Sequence, residues 1–358
     1  MTGGRGRKSF QKEVLMIRYE VWTEEPHLGF YKRSYCPRED YMLAGMWPGG
    51  IFTGASGKRY HGMRGFDELA LDNAHTYIFV ELNEGNLFDN SPQLYPELPI
   101  DQMEMFSYIE TEDAVQYVGE NVRLEVRVGS FDWTDAKGRF EIHVKQLGQA
   151  CTFWVPEQEG IPNPILHRSE IGKATGFING DPVEGFTFLD SSYSRPGVLY
   201  FNLPLIRKLE KQWSMWVVEY ADGEVEAGFA WKGRGETGFR AAHLITGGVS
   251  RALADSRTIT TYDERGTVWK SRIELGDHFF ELEQDTVSDW PAHTFGRVVA
   301  TSKGKEIAKS WNFIEWMPDN IDSMLDRYFA GEIQVHQARE GRIENENIYF
   351  PEHVLKVR

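Results

Sequence analysis

The chain is poor in cysteine: Cys36 and Cys151 are its two in 358 residues. That number excludes a disulfide framework and leaves either one bridge or two free thiols. Long hydrophobic runs are missing too, since none approaches the roughly 18 residues that a membrane helix needs, so membrane insertion is not expected. Positive charge is short: 39 Lys and Arg stand against 54 Asp and Glu, for a formal net charge of −15. A field of that sign repels phosphate backbones and anionic lipid, so nucleic acid is not an expected partner. Residues 1–12 carry Arg5, Arg7, Lys8 and Lys12 with no apolar stretch behind them; no secretory leader is legible, and a cytoplasmic location is expected.

Aromatic residues are abundant, with 11 Trp, 15 Tyr and 22 Phe, and 35 Gly and 15 Pro punctuate the chain. Aromatics favour the pleated, half-buried surface of strands and also line pockets for apolar ligands. Period-two patterning runs through the sequence. Val122, Leu124, Val126 and Val128 alternate with Arg123, Glu125 and Arg127, the pattern of an antiparallel strand buried on one face. Phe140, Ile142 and Val144 repeat it after the turn at Lys137-Gly138. Further strands are expected at 19–23, 60–66, 75–82, 114–118, 169–179 and 183–189.

Beyond residue 210 the rhythm becomes regular. Strands over 213–220 and 225–231 flank Asp222-Gly223, and those over 267–275 and 278–283 flank Gly276-Asp277; both turns are strong hairpin signals. With 239–245, 257–262, 295–301 and 306–317 the series reaches about eight strands, the number at which an up-and-down sheet closes around side chains or a small ligand. Helices are expected only at 202–210 and 319–329. At roughly 150 residues per domain the length suits two domains, and the Pro- and Gly-bearing stretch 194–204 places the boundary near 205, giving 1–205 and 206–358.

Familiar cofactor motifs fail on inspection. Gly233-Arg-Gly235-Glu-Thr-Gly238 has dinucleotide-loop spacing, but no helix is signalled after it and no βαβ rhythm surrounds it, so it reads as a hairpin loop. Gly54-Ala-Ser-Gly57-Lys58 has the wrong glycine spacing for a phosphate loop, and Arg59 stands where Ser or Thr would meet magnesium. No metal-ligand spacing and no serine-nucleophile elbow is present. No cofactor and no metal are expected.

Residues 172–197 carry the most information. A glycine-punctuated strand, the turn Asn179-Gly180-Asp181-Pro182 and a Gly-aromatic strand lead to Asp190, Tyr193 and Arg195. This stretch resembles the carotenoid hydratase (hydroxyneurosporene synthase) family, whose relatives include lipocalin-type cyclases and Diels–Alderases. The Trp-rich strand and Asp-Gly turn from Trp213 to Gly228 resemble that family's later motif, and the likeness covers about residues 165–320. Where the family reads Tyr-x-Asp-His-x-Trp-Gly, Phe188, Ser191, Tyr193 and Ser194 replace the Tyr, His, Trp and Gly, while Asp190 keeps the position of the proton donor. The resemblance implies an all-β fold of two consecutive lipocalin-like antiparallel β-barrels with few short helices.

Physical chemistry leaves two readings of Asp190. A carboxyl in an aromatic cavity stays protonated and acts as an acid, with Tyr193 and Arg195 orienting it; alternatively it caps a turn, pairs with Arg195 and is inert. His243 shares a strand face with Phe239 and Ala241, and is either a core histidine or a catalytic one. Arg195, Trp216, Glu219, Trp269 and Trp311 are candidate ligand-binding residues, with Trp316 a further barrel-lining candidate. The expected activity is a cofactor-independent lyase or isomerase reaction, namely hydration, dehydration or cyclisation, on an apolar terpenoid, polyketide or aromatic molecule. The alternative is a non-catalytic carrier of a hydrophobic ligand.

Overall fold

The structure, a computed structural model, describes residues 16–38, 40–63, 65–66, 73–75, 79–82, 103–198, 202–235, 237–262, 268–287, 293–317 and 326. Within them nearly all regular structure is antiparallel strand, arranged as two curled sheets that each form a half-barrel. The first has 13 strands and is drawn from Glu20–Glu24 through Asp181–Ser194; the second has nine, from Glu210–Tyr220 through Ile307–Trp316. No helix among the described residues is long and apolar enough to cross a membrane.

The long hairpin Ile165–Ile178 and Asp181–Ser194 forms the spine of the first sheet. Asn179 and Gly180, at φ 50 and 78, turn it, the left-handed geometry that Asn and Gly adopt at least cost. Asp181–Ser194 pairs on its other edge with Met42–Gly54, with a register shift between Ser192 and Tyr193. In the second sheet the strands run as a meander in which the first, Glu210–Tyr220, pairs with the last, Ile307–Trp316. The seam lies between Val249–Leu253 and Arg257–Tyr262, which end the strand order and do not pair.

Three cores result. Phe52, Phe66, Tyr117, Leu124, Trp133 and Ile142 fill the hollow of the first sheet, and Trp216, Tyr220, Phe280, Leu282, Ile314 and Trp316 fill that of the second. The largest cluster lies between them, where Phe153, Ile171, Phe186 and Phe188 of the first sheet meet Trp213, Phe229, Trp231 and Phe313 of the second. Fully burying one such side chain stabilises by about 1.5–3 kcal/mol, so the sheets are held with their outer faces together. Trp311 donates across this contact to Thr53 Oγ1 (3.0 Å), and Lys173 pairs with Glu219 at 2.6 Å.

Several sequence expectations need correction. The helix at 202–210 is a five-residue π turn, Leu205–Leu209, because the sheet ladder already takes Glu210, opposite Gly233. The strand expected at 239–245 begins only at Ala242, and the one at 75–82 appears as Asn73–His75 and Phe79–Leu82, which join different neighbours. The second sheet has nine strands and stays open at its seam. The helix expected at 319–329 lies outside the described residues, Asp326 excepted. Cys36 is exposed, Cys151 is buried, and both are free thiols.

Candidate active site

In a strand, successive side chains point to opposite faces, and the spine hairpin uses both. On its outer face, toward the second sheet, His167 stands opposite Ser192, Ser169 opposite Asp190 and Ile171 opposite Phe188. All six are buried. His167 Nδ1 lies 2.7 Å from Ser192 Oγ and its Nε2 lies 3.1 Å from Ser169 Oγ. The Ser169 hydroxyl donates to the Asp190 carboxyl, and Asp190 Oδ2 is 3.8 Å from His167 Nε2. With its proton on Nε2 and accepting from Ser192 at Nδ1, a neutral His167 completes a continuous buried chain from Ser192 to Asp190. Burial holds the His167 pKa down at about 3.

The second sheet contributes two further carboxyls. Glu210 opens its first strand, is buried and accepts from the indole of Trp231. Glu315 faces Trp213 across the ladder, with its Oε2 3.6 Å from His293 Nε2. Burial raises the Asp190 pKa well above the ordinary carboxylate range, and the charges of Glu315 and Glu170 add to the rise. Glu210 moves the same way, first through burial and then through Glu315, against the pull of the Arg234 guanidinium. Burial and the like charges nearby both push the Asp190 and Glu210 carboxyls toward the protonated form. Asp190 Oδ1 and Glu210 Oε1 are buried without a hydrogen-bond partner among the described residues.

Around this pair the walls are aromatic. Trp231 packs against His167 (ring centroids 5.5 Å apart) and Phe153 (4.9 Å). Phe188 and Trp213 meet edge to face at 5.1 Å. Trp231 also lines a cleft of about 510 Å³ that reaches Phe239, Lys232 and Thr258, so this one ring stands between the Glu210 carboxyl and that cleft.

Ser192, His167 and Asp190 superficially suggest a hydrolytic triad. Ser192 sits within an extended strand whose amides are committed to the ladder with its neighbours. A serine nucleophile needs free backbone donors for the oxyanion and room for the acyl group, and this strand offers neither.

The inner face of the same hairpin holds a second polar group that the sequence reading did not find. Tyr31 donates to Glu170 Oε1 (2.5 Å), Arg168 pairs with Glu170, and the Arg168 guanidinium stacks over Phe30 at 3.8 Å. Tyr193 belongs here, since its hydroxyl donates to the Phe30 carbonyl at 2.6 Å and its ring packs with Tyr41, Leu43 and Leu166. It lies three residues from Asp190, on the opposite face, so it does not orient that carboxyl. Arg195 is exposed and bound to Glu157 at 2.5 Å, which corrects the expected Asp190–Arg195 pair.

The remaining candidates scatter. His243 is buried against Phe229 (5.0 Å) on the interface face, with neither ring nitrogen partnered among the described residues, and burial lowers its pKa to about 3. Trp216 and Trp316 line the hollow of the second sheet, Trp311 and Glu219 bridge the sheets, and Trp269 points outward, 42% exposed. The structure therefore brings Asp190 together with His167, Ser169, Glu210 and Trp231, none of which the sequence reading named. The one signal available was the run of consecutive polar residues His167-Arg168-Ser169-Glu170 inside a strand flanked by apolar positions.

No protein-family model matches the chain, and no curated protein matches it. Among solved structures the chain is similar to a Nitrosomonas europaea protein described as AttH, at 11% identity and TM-score 0.36, covering 80% of this chain and 96% of that one. It is also similar to kievitone hydratase from Nectria haematococca, at 10% identity and TM-score 0.30, covering 76% and 88%. Similarity at this level assigns no role to any residue.

Proposed function

We propose that the protein is a lyase- or isomerase-type enzyme, hydrating, dehydrating or cyclising an apolar small molecule by proton transfer from its own buried carboxyls. The observation that carries this reading is the pair of buried carboxyls, Asp190 and Glu210, set in one aromatic interface with an unpartnered oxygen on each, both with their pKa raised by burial. A carboxyl of raised pKa donates its proton to an alkene or a carbonyl or, in dehydration, to the hydroxyl that leaves as water. The carboxylate so formed then takes a proton back, from an added water in hydration or from an adjacent carbon in elimination and cyclisation, and the cycle closes without redox change. Trp213, Trp231 and Phe188 would exclude water and stabilise a developing cation by their ring faces. In this reading Glu210, screened from the cleft by the Trp231 ring, meets a substrate that displaces that ring, while the Ser192–His167–Ser169 chain sets the proton on Asp190.

A carrier needs the same apolar walls but has no use for two protonated acids. The test is incubation with a panel of unsaturated terpenoids and aromatic polyketides in deuterated water, scored by mass spectrometry for deuterium uptake and for gain or loss of water. Turnover that Glu210→Gln abolishes while ligand binding survives supports the enzyme; ligand binding with no deuterium uptake in any product would make the protein a carrier.

A further inference from the structure

We propose that the cleft at the open seam of the second sheet binds an amphipathic organic anion, its apolar body against Met16 and the glycine-rich wall and its carboxylate at Lys232. The cleft, of about 510 Å³, sits where Val225–Gly233 approaches Arg257–Tyr262 across the unpaired seam. Its lining carries Lys232, Arg240 and Arg257 and, among the described residues, no acid. That is a local reversal of sign in a chain of net charge −15.

The three cations differ. Arg240 leans toward Asp255 at 3.6 Å and Arg257 toward Glu274 at 3.3 Å, with both arginines exposed. Lys232 has no carboxylate partner among the described residues; its Nζ donates to the neutral Thr260 Oγ1 at 3.1 Å. Burial, and then the charge of Lys211, push its pKa down. A half-buried ammonium without a counter-ion gains most from an incoming anion. Thr258 Oγ1, in the same wall, is buried without a partner and supplies a second hydrogen bond.

The glycine stretch rejected as a nucleotide loop finds its use here. Gly233, Gly235 and Gly238 all line the cleft. Gly235 and Gly238 adopt φ of 51 and 73, and a Cβ on Gly233 would lie 2.7 Å from the Phe239 carbonyl. The spacing lets the backbone fold closely over the cleft and form its wall, with Trp231 and Phe239 almost wholly buried behind it and the exposed Met16 supplying the apolar contact.

Use of the cleft as a substrate site rests on the function proposed above, whereas occupancy does not, so the test reads binding alone. The fluorescent probe anilinonaphthalene sulfonate is titrated against its uncharged parent, N-phenylnaphthylamine, with the wild type, Lys232→Met, Lys232→Gln and Lys232→Arg. The expected result is saturable one-to-one binding of the sulfonate, weakened about tenfold in both neutral variants and restored to within about threefold in Lys232→Arg. The uncharged probe should bind all four proteins alike. Lys232→Met removes a charge without a carboxylate partner and should melt no lower than the wild type. Equal affinity of the wild type for the two probes, an unchanged sulfonate affinity in the neutral variants, or no saturable binding would each overturn the proposal. Neither probe is turned over, so a failure of the Asp190 and Glu210 variants to lose activity leaves this result standing.

Discussion

Replacing Asp190 by Asn asks whether the fold holds that carboxyl protonated. Below about pH 4 the folded and unfolded chains both carry the proton and the group contributes no pH dependence. As pH rises toward the elevated folded value, the unfolded chain releases its proton and the fold does not. Wild-type stability then falls by about 1.4 kcal/mol per unit. From pH 5 to 7 that amounts to at most about 3 kcal/mol for Asp190, and a similar figure for Glu210. The buried histidines act in the opposite sense. His61, His167 and His243, each held near 3 by burial, stay neutral in the fold while the unfolded chain takes up protons below about pH 6.5. Each therefore removes up to about 2 kcal/mol between pH 6.5 and pH 5. The two effects oppose each other, so the wild-type profile alone does not isolate the carboxyl. The difference between wild type and Asp190→Asn isolates the carboxyl. Asn keeps the acceptor for Ser169 but buries an amide NH₂, a pH-independent cost of about 1–3 kcal/mol. Urea unfolding at pH 5 and pH 7 should show the variant gaining on the wild type by up to about 3 kcal/mol at the higher pH, while turnover drops about 10²–10⁴-fold. A variant that loses more stability at pH 7 than at pH 5 would mean that Asp190 is ionised, and the acid reading would fall with it.

Arg168→Met leaves Glu170 charged and unpaired in the hollow of the first sheet and should cost about 3–5 kcal/mol. Arg168→Met with Glu170→Leu should recover most of it in the same urea titration, and a double variant as weak as the single would contradict the pairing. His243→Phe should reduce the stability lost between pH 6.5 and pH 5 by about 2 kcal/mol and leave turnover unchanged; loss of turnover would return His243 to the catalytic set. Turnover should persist after exhaustive chelation with EDTA, and activity restored by a single added metal would reveal a metal site.

What was legible in the sequence follows from where the strands lie. Val122–Arg127 and Phe140–Gln146 bury one face, and their alternation gave their positions to within a residue or two. Met42–Gly54 is covered on both faces, so its near-continuous apolar run has no period to read, and it was not named. Turns such as Asp222-Gly223 were legible because their geometry is local. Asp190 could be reached from its own stretch, and strict alternation already places Tyr193, three residues on, across the sheet from it. Glu210 and Trp231 could not be reached that way, because they meet Asp190 only after two sheets pack outer face to outer face, and the pattern of one strand does not say what its outer face will touch. In a lone barrel the outer positions of a strand meet water, and polar residues there are unremarkable. In Ile165–Ile178 and Asp181–Ser194 those positions hold His167, Ser169, Asp190 and Ser192, interleaved with Ile171, Phe186 and Phe188. Aromatic and ionisable residues mixed on one nominally outward face make sense only if a second apolar surface covers that face. The same covering that raises the Asp190 pKa therefore holds the two sheets together, and any change that separates the sheets should return that carboxyl to the ordinary range.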